Sequence, residues 1–125
     1  MIHLDANFLI GVANRHLPVE AALIGWVRQG EGLATSAIAW AEFLNGPVEP
    51  RHVQQMNVLI QGRIISFGRS EAEKASQLFN LTGRRRGSQP DCFIAATAIC
   101  ARARLATQNH KHFAPFVVAG LHLAK

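Results

Sequence analysis

Three carboxylates stand out among the eight acids of this 125-residue chain: Asp5, Glu42 and Asp91. Asp5 follows the apolar stretch Ile2-His3-Leu4 and precedes a helical pattern. At such a junction an Asp either caps the helix, accepting an N–H two or three residues on, or faces a ligand. Asp91 lies in Ser88-Gln89-Pro90-Asp91, at the first turn of a helix rich in small residues. Ser88 and Asp91 match a capping box, and an acid there favours the helix dipole, so a structural reading stands beside the chemical one. Glu42 is the only charge in Ala37-Ile38-Ala39-Trp40-Ala41-Glu42-Phe43-Leu44. Either it faces solvent or it needs a cation, because ionised carboxylates are almost never buried alone. No Lys or Arg lies within a helical turn of it, which leaves a distant Arg or a metal.

The elements that must position these acids follow from hydrophobic patterning. Short apolar runs alternate with amphipathic segments, the α/β pattern. Strands are expected over 2–4, 33–36, 63–67, 105–107 and 116–119. Helices are expected over 6–14, 18–28, 38–44, 51–61, 70–81 and 90–104, with Ser70-Glu71-Ala72-Glu73 in the form of a capping box. Short strands separated by helices imply a mostly parallel sheet covered on both faces, and the length implies one domain over 1–125. In such a sheet Asp5, Glu42 and Asp91 fall near the crevice at the carboxyl ends of the strands. Carboxylates gathered there repel by about 4 kcal/mol per pair at ~4 Å and an effective dielectric of ~20. A divalent cation or protonation must offset that cost. All-oxygen ligands select Mg²⁺ or Mn²⁺, and a partly hydrated ion of that kind fits phosphoryl hydrolysis or transfer.

Rival chemistries have less support. His110-Lys111-His112 has alternate spacing, and His3 and His16 lie near the first strand, but no HExxH or cysteine–histidine pattern is present. These histidines read as surface or phosphate-contacting groups. No Walker A sequence, glycine-rich dinucleotide fingerprint or GxSxG elbow occurs. Cys92 and Cys100, eight apart in a helical segment, would sit ~12 Å apart along its axis and cannot bridge. They are expected to be reduced, in a cytoplasmic protein. No apolar run approaches the ~20 residues of a membrane span, and the first residues lack the basic start of a signal peptide.

Charge is unevenly divided. Residues 1–62 carry three Arg against five acids, net −2, whereas residues 63–125 carry ten Lys and Arg against three acids, net +7. A basic half suits an anionic partner, nucleic acid or an acidic protein segment. Gly83-Arg84-Arg85-Arg86-Gly87, just before Asp91, is either a flexible clamp on phosphates or a solvated loop. Arg102 and Arg104 read as structural, at the C-terminal end of the last long helix.

Four segments occur in an order that resembles the PIN-domain ribonucleases, and within them the VapC-type toxins of bacterial toxin–antitoxin pairs. They are Leu4-Asp5-Ala6-Asn7-Phe8-Leu9-Ile10, Ala41-Glu42-Phe43-Leu44-Asn45-Gly46, Pro90-Asp91-Cys92-Phe93-Ile94-Ala95-Ala96-Thr97-Ala98 and Ala106-Thr107-Gln108-Asn109-His110-Lys111-His112-Phe113. The resemblance covers nearly the whole chain. It implies a three-layer α/β/α sandwich with a mostly parallel sheet and a central acidic groove. Asp5, Glu42 and Asp91 match the family's metal-site acids. Asn109 falls where many members carry a fourth acid, and Asn7 and Thr107 match polar positions beside the site. The implied activity is Mg²⁺- or Mn²⁺-dependent endoribonuclease cleavage leaving 5′-phosphate and 3′-hydroxyl ends. The implied partners are RNA, a VapB-type antitoxin that inserts into the groove, and a second copy of the chain. With Asn109 neutral, the site holds three negative charges, which points to one tight metal. A second reading is a catalytically weak module that keeps the fold and binds RNA or protein. A phosphoryl-transfer receiver domain fits poorly, since no Asp closes the third strand and no Lys ends a late one.

Overall fold

A computed structural model describes residues 1–125. Its centre is a five-stranded sheet of β1 (Ile2–Leu4), β2 (Leu33–Ser36), β3 (Ile64–Ile65), β4 (Arg104–Ala106) and β5 (His122–Leu123). All pairings are parallel, in the order β3-β2-β1-β4-β5. The strands are linked by α1 (Ala6–Ala13), α2 (Leu17–Arg28), α3 (Ala37–Asn45), α4 (Pro50–Leu59), α5 (Arg69–Leu81), α6 (Gln89–Cys100), α7 (His110–Phe113) and a 3₁₀ turn at Ala114–Ala119. β1 is the central strand, so all three of its residues are buried.

Two apolar cores flank the sheet and make the three layers. On one face Ile2 and Leu4 meet Phe8 and Leu9 of α1, Val19, Leu23 and Trp26 of α2, and Met56 of α4. The Phe8 and Trp26 rings lie 5.7 Å apart. On the other face Leu105 meets Ala75 and Leu78 of α5 and the small residues of α6, Cys92, Ile94, Ala95, Ala96 and Ala98. α3 serves both, with Phe43 in one core and Ala39 in the other. Alanines on α6 let it lie close to the sheet, as expected of a packing helix.

Several boundaries differ from the sequence expectation. Residues 116–119 form a 3₁₀ turn, not a strand, and the last strand is His122–Leu123. The run is apolar enough for either, but Pro115 opens a turn and Gly120, at φ 110°, closes it. Phe113 and Phe116, three apart, then pack at 6.0 Å as a buried pair. α6 ends at Cys100 rather than running to 104, because Arg102 takes φ 54° and Arg104 enters β4. Arg104 therefore pairs with Glu31 instead of supporting a helix end. β3 keeps only two of the five expected residues. α5 starts at Arg69: the Glu71 carboxylate accepts the Gly68 N–H at 2.8 Å, so the cap lies two residues before Ser70. Ser88 does not cap α6; its hydroxyl donates to the Arg85 carbonyl at 2.8 Å. Cys92 and Cys100 are free thiols, one buried and one exposed. No helix is long and apolar enough to cross a membrane.

Candidate functional site

Asp5 ends β1 and caps α1, though not by the bond expected. Its Oδ1 accepts the N–H of Ala6, the next residue, at 2.8 Å. Its backbone is held from both sides. The Asp5 N–H donates to the Ala106 carbonyl at 2.9 Å, and Thr35 Oγ1 donates to the Leu4 carbonyl at 2.7 Å. Oδ2, left over from the cap, accepts the Thr107 hydroxyl proton at 2.7 Å. Thr107 Oγ1 in turn accepts from the Asn109 N–H at 3.0 Å and from Asn7 Nδ2 at 3.3 Å. Asn7 Nδ2 also reaches Asp5 Oδ2 at 3.3 Å, while Asn7 Oδ1 accepts the Gln108 N–H at 3.2 Å. That last bond fixes which way the Asn7 amide faces, since only its oxygen can accept a backbone proton. Asp5 is 5% exposed, and burial raises its pKa; the Thr107 and Ala6 hydrogen bonds oppose the rise, Asp91 adds to it and His112 reduces it.

Asp91 and Glu42 are held more loosely. Asp91 sits half-buried in the first turn of α6, with Oδ2 3.4 Å from His112 Nδ1. Burial raises its pKa, and His112 and Arg85 counter it. Glu42 stands on α3, open to solvent, with partial desolvation of its carboxyl and then the charges of Asp5 and Asp91 raising its pKa. The three acids thus feel one another. They do not close into a ligand shell: no three His, Cys, Asp or Glu side chains stand close enough to hold one ion between them. The donor chemistry nonetheless suits a hard divalent cation, being all oxygen and net negative. Asn109 begins α7 with its side chain exposed, and joins the network through its backbone N–H alone.

A family model described as PIN domain matches residues 2–115. The chain belongs to the PIN domain family. No curated protein matches it in sequence. Among solved structures, this PIN domain is similar to a chain of a toxin–antitoxin complex from Klebsiella pneumoniae, with 28% identity over 91% of each chain and a TM-score of 0.74. It shares the fold of a chain of VapBC2 from Rickettsia felis, in a structure bound to a promoter DNA fragment, with 22% identity, 99% and 98% coverage and a TM-score of 0.73. It also shares that of a chain of FitAcB from Neisseria gonorrhoeae, with 22% identity, 100% and 97% coverage and a TM-score of 0.70. The VapC-type likeness carried by the four sequence motifs stands with these neighbours.

The basic loop of the PIN domain is not uniform. Arg84 turns back onto α5, with its guanidinium 2.6 Å from Asn80 Oδ1 and 5.4 Å from the Phe79 ring centre. Arg85 is the one whose charge reaches Asp91. Arg86 is exposed. The sequence alone groups His112 with surface histidines; its place beside Asp91 depends on the angle at which α7 leaves Thr107, which no local spacing encodes. Thr35, which clamps the carbonyl before Asp5, gives no sequence signal beyond its place in a strand.

Proposed function

We propose that this PIN domain is the toxin half of a toxin–antitoxin pair, a Mg²⁺- or Mn²⁺-dependent endoribonuclease that hydrolyses RNA phosphodiester bonds. The observation that carries the reading is the buried Asp5 carboxylate, gripped by Thr107, Ala6 and Asn7 within electrostatic reach of Asp91 and Glu42. A buried acid whose raised pKa is opposed by hydrogen bonds to its carboxylate, with two more acids nearby, is a cation ligand in waiting. When bound, the ion supplies positive charge at the phosphate and a lowered pKa for an attacking water.

The chain's own groups divide the remaining work. Asp5 is the fixed ligand, because three donors set its orientation. Asp91 and Glu42 would be the ligands with freedom to move, and Glu42 would complete the ion's shell or orient the attacking water. Asn109 is a weaker, neutral ligand. Thr107 and Asn7 aim Asp5, and the Thr107 hydrogen bond opposes the rise in its pKa. Arg85 and Arg86 hold phosphate oxygens, with Arg84 braced against α5. Leu23, Ile24, Val27 and Leu59 line an exposed apolar cleft of about 370 Å³ between α2 and α4, which suits an apolar segment of a VapB-type antitoxin. A cytoplasmic, homodimeric protein fits the reading.

The test is cleavage of structured RNA in Mn²⁺, with EDTA and Asp5→Asn as controls. Activity lost in both controls, leaving 5′-phosphate and 3′-hydroxyl ends, supports the enzyme. Binding without cleavage supports the second reading, a catalytically weak RNA- or protein-binding module, which the open spacing of the acids favours. Calorimetric titration with Mn²⁺ is expected to give one tight site in the absence of RNA.

A further inference from the structure

Beside the acids, an open cleft of about 660 Å³ runs between the first helix, the turn after it and the loop following β4. Its polar lining is Asn7, Asn14, Arg15, His16 and Gln108. We propose that this cleft is a subsite for a single-stranded RNA nucleotide flanking the scissile phosphate, read by Asn14 and Gln108 and anchored by Arg15. The proposal rests on the nuclease reading above and adds to it the place where sequence preference arises.

Continuity with the acids is the first support. Asn7 faces both spaces: its Nδ2 contacts Asp5 Oδ2, and its side chain lines the cleft. Asn7, Ile10 and Asn14 follow the i, i+3, i+7 spacing of one helix face, so the lining runs ~10 Å away from the acid end along α1. Gly11 keeps the cleft's back wall close, since a Cβ there would meet Val19 Cγ2 at 2.9 Å. A cavity of this size takes a ligand the size of a nucleotide.

Chemistry is the second. The Asn14 and Gln108 side chains are exposed amides, each able to donate and accept at the edge of an unstacked base. Ile10 and Leu17 offer apolar surface for its face. Arg15 spends its ε nitrogen on Glu20 Oε1 at 2.7 Å, on a side chain 82% exposed, which leaves its terminal nitrogens to a phosphate. A helical peptide would need a stripe of apolar anchors, which this cleft lacks.

The turn itself is the third. α1 ends with the His16 N–H on the Gly11 carbonyl at 2.8 Å and the Arg15 N–H on the Val12 carbonyl at 3.1 Å. α2 ends in the same way, with Glu31 on Trp26 and Gly30 on Val27. At the left-handed position α2 uses Gly30, at φ 82°, whereas α1 uses Arg15, at φ 58°. Gln61 and Arg102 take the same left-handed position after α4 and α6, at φ 52° and 54°, so the turn does not single Arg15 out; it fixes where the Arg15 side chain leaves the backbone, at the mouth of the cleft.

The experiment digests a random single-stranded RNA pool in Mn²⁺ and sequences the new ends, for wild type, Asn14→Ala, Gln108→Ala and Arg15→Gly. Wild type is expected to prefer one base beside the cut by at least about fivefold. Asn14→Ala or Gln108→Ala flattens that preference at a single position. Arg15→Gly weakens RNA binding at all sequences and lowers the log–log salt slope by about 0.7. Because glycine relaxes the turn, its Tm stays level or rises, which separates lost binding from lost fold. Unchanged preference and affinity in all three variants overturn the subsite while leaving the nuclease standing. Variants that weaken only the grip on an antitoxin overturn it too, assigning the cleft to a peptide. If wild type does not cleave, the nuclease reading fails, and the subsite is judged on pool binding in EDTA: loss in the variants upholds it and no change overturns it.

Discussion

The two arms of the acidic site are built to different standards. Every polar atom of Asp5 has a partner, drawn from α1, β4 and the segment after it. Around Asp91 and Glu42 there is one 3.4 Å contact to an exposed histidine and otherwise only charge acting at a distance. A carboxylate buried at a strand end must be satisfied or protonated, and its fixed geometry then serves as a reference. Carboxylates at the rim can adjust to whatever ion or phosphate arrives. One arm is thus pre-set, and under the proposed function the other would complete the site on binding.

The largest effects should come from neutralising acids in either arm. Asp5→Asn and Asp91→Asn are each expected to lower Mn²⁺-dependent RNA cleavage by about 10³-fold, the several kcal/mol of charge stabilisation that a metal supplies. Stability should separate them. Both pKa values are raised in the folded chain, so each acid's ionisation destabilises it, a cost that develops as pH rises past the carboxylate's ordinary range and is complete above the folded pKa. Removing the charge should raise the Tm of metal-free protein more for Asp5→Asn, which is deeper and lacks an adjacent cation, than for Asp91→Asn. The reverse order in a thermal melt would end the distinction between the arms. Mn²⁺ at a hundred times its Kd should stabilise wild type by about 2.7 kcal/mol, and neither variant by as much.

The strand that carries the pre-set arm has its own weak point. His3, the middle residue of β1, is 2% exposed and neither ring nitrogen finds a hydrogen bond. Burial, and secondarily the N-terminal ammonium, lower its pKa to about 4. A depressed histidine favours folding above 6.5 and loses that contribution as pH falls towards 4. The loss approaches about 3 kcal/mol, opposite in sign to the gain from protonating the raised acids. Denaturant melts of His3→Leu should lack this slope and match or exceed wild type at pH 7, since the orphan nitrogens are gone. A variant that keeps the wild-type acid slope would clear His3. Smaller again is Thr107→Val, expected to cost about 10- to 100-fold in cleavage or Mn²⁺ affinity through loss of Asp5 alignment. Isothermal titration checks it, and an effect below twofold would mean that the network around Asp5 is ornamental to the chemistry.

Much of this arrangement is legible in the amino-acid sequence. The parallel α/β plan, the strand ends and the three acids follow from alternation of apolar runs and from charges in apolar surroundings. Asn7 and Thr107 follow too, though only through the family resemblance. The features that sequence does not reveal all depend on direction rather than position. Residues 116–119 read as a strand because an apolar run hides whether Pro115 turns the chain. Ser88 reads as a cap because spacing cannot reveal that its hydroxyl points back to Arg85. His112 reads as surface because the angle of a four-residue helix decides whether it meets Asp91. The open spacing of the acids is likewise invisible, because convergence at strand ends sets a neighbourhood, and side-chain partners set the distances within it.

The smallest expected effect probes the adjustable arm from outside. Arg85 and Arg84 are neighbours in sequence, yet Arg84 is committed to Asn80 and Phe79 while the Arg85 charge is felt at Asp91. If Arg85 hands its charge to an incoming phosphate, Arg85→Gln should lower the slope of log affinity against log salt by about 0.7 for single-stranded RNA. Arg84→Gln should move it less, because that guanidinium must first leave α5. Arg85→Gln should also push the Asp91 pKa further up, shifting the acid limb of the cleavage profile to higher pH, whereas Arg84→Gln should leave it in place. Equal salt slopes for the two variants would mean that the loop binds RNA as an undivided cloud of charge. The asymmetry between its arginines would then have no part in how the rim of the site receives its substrate.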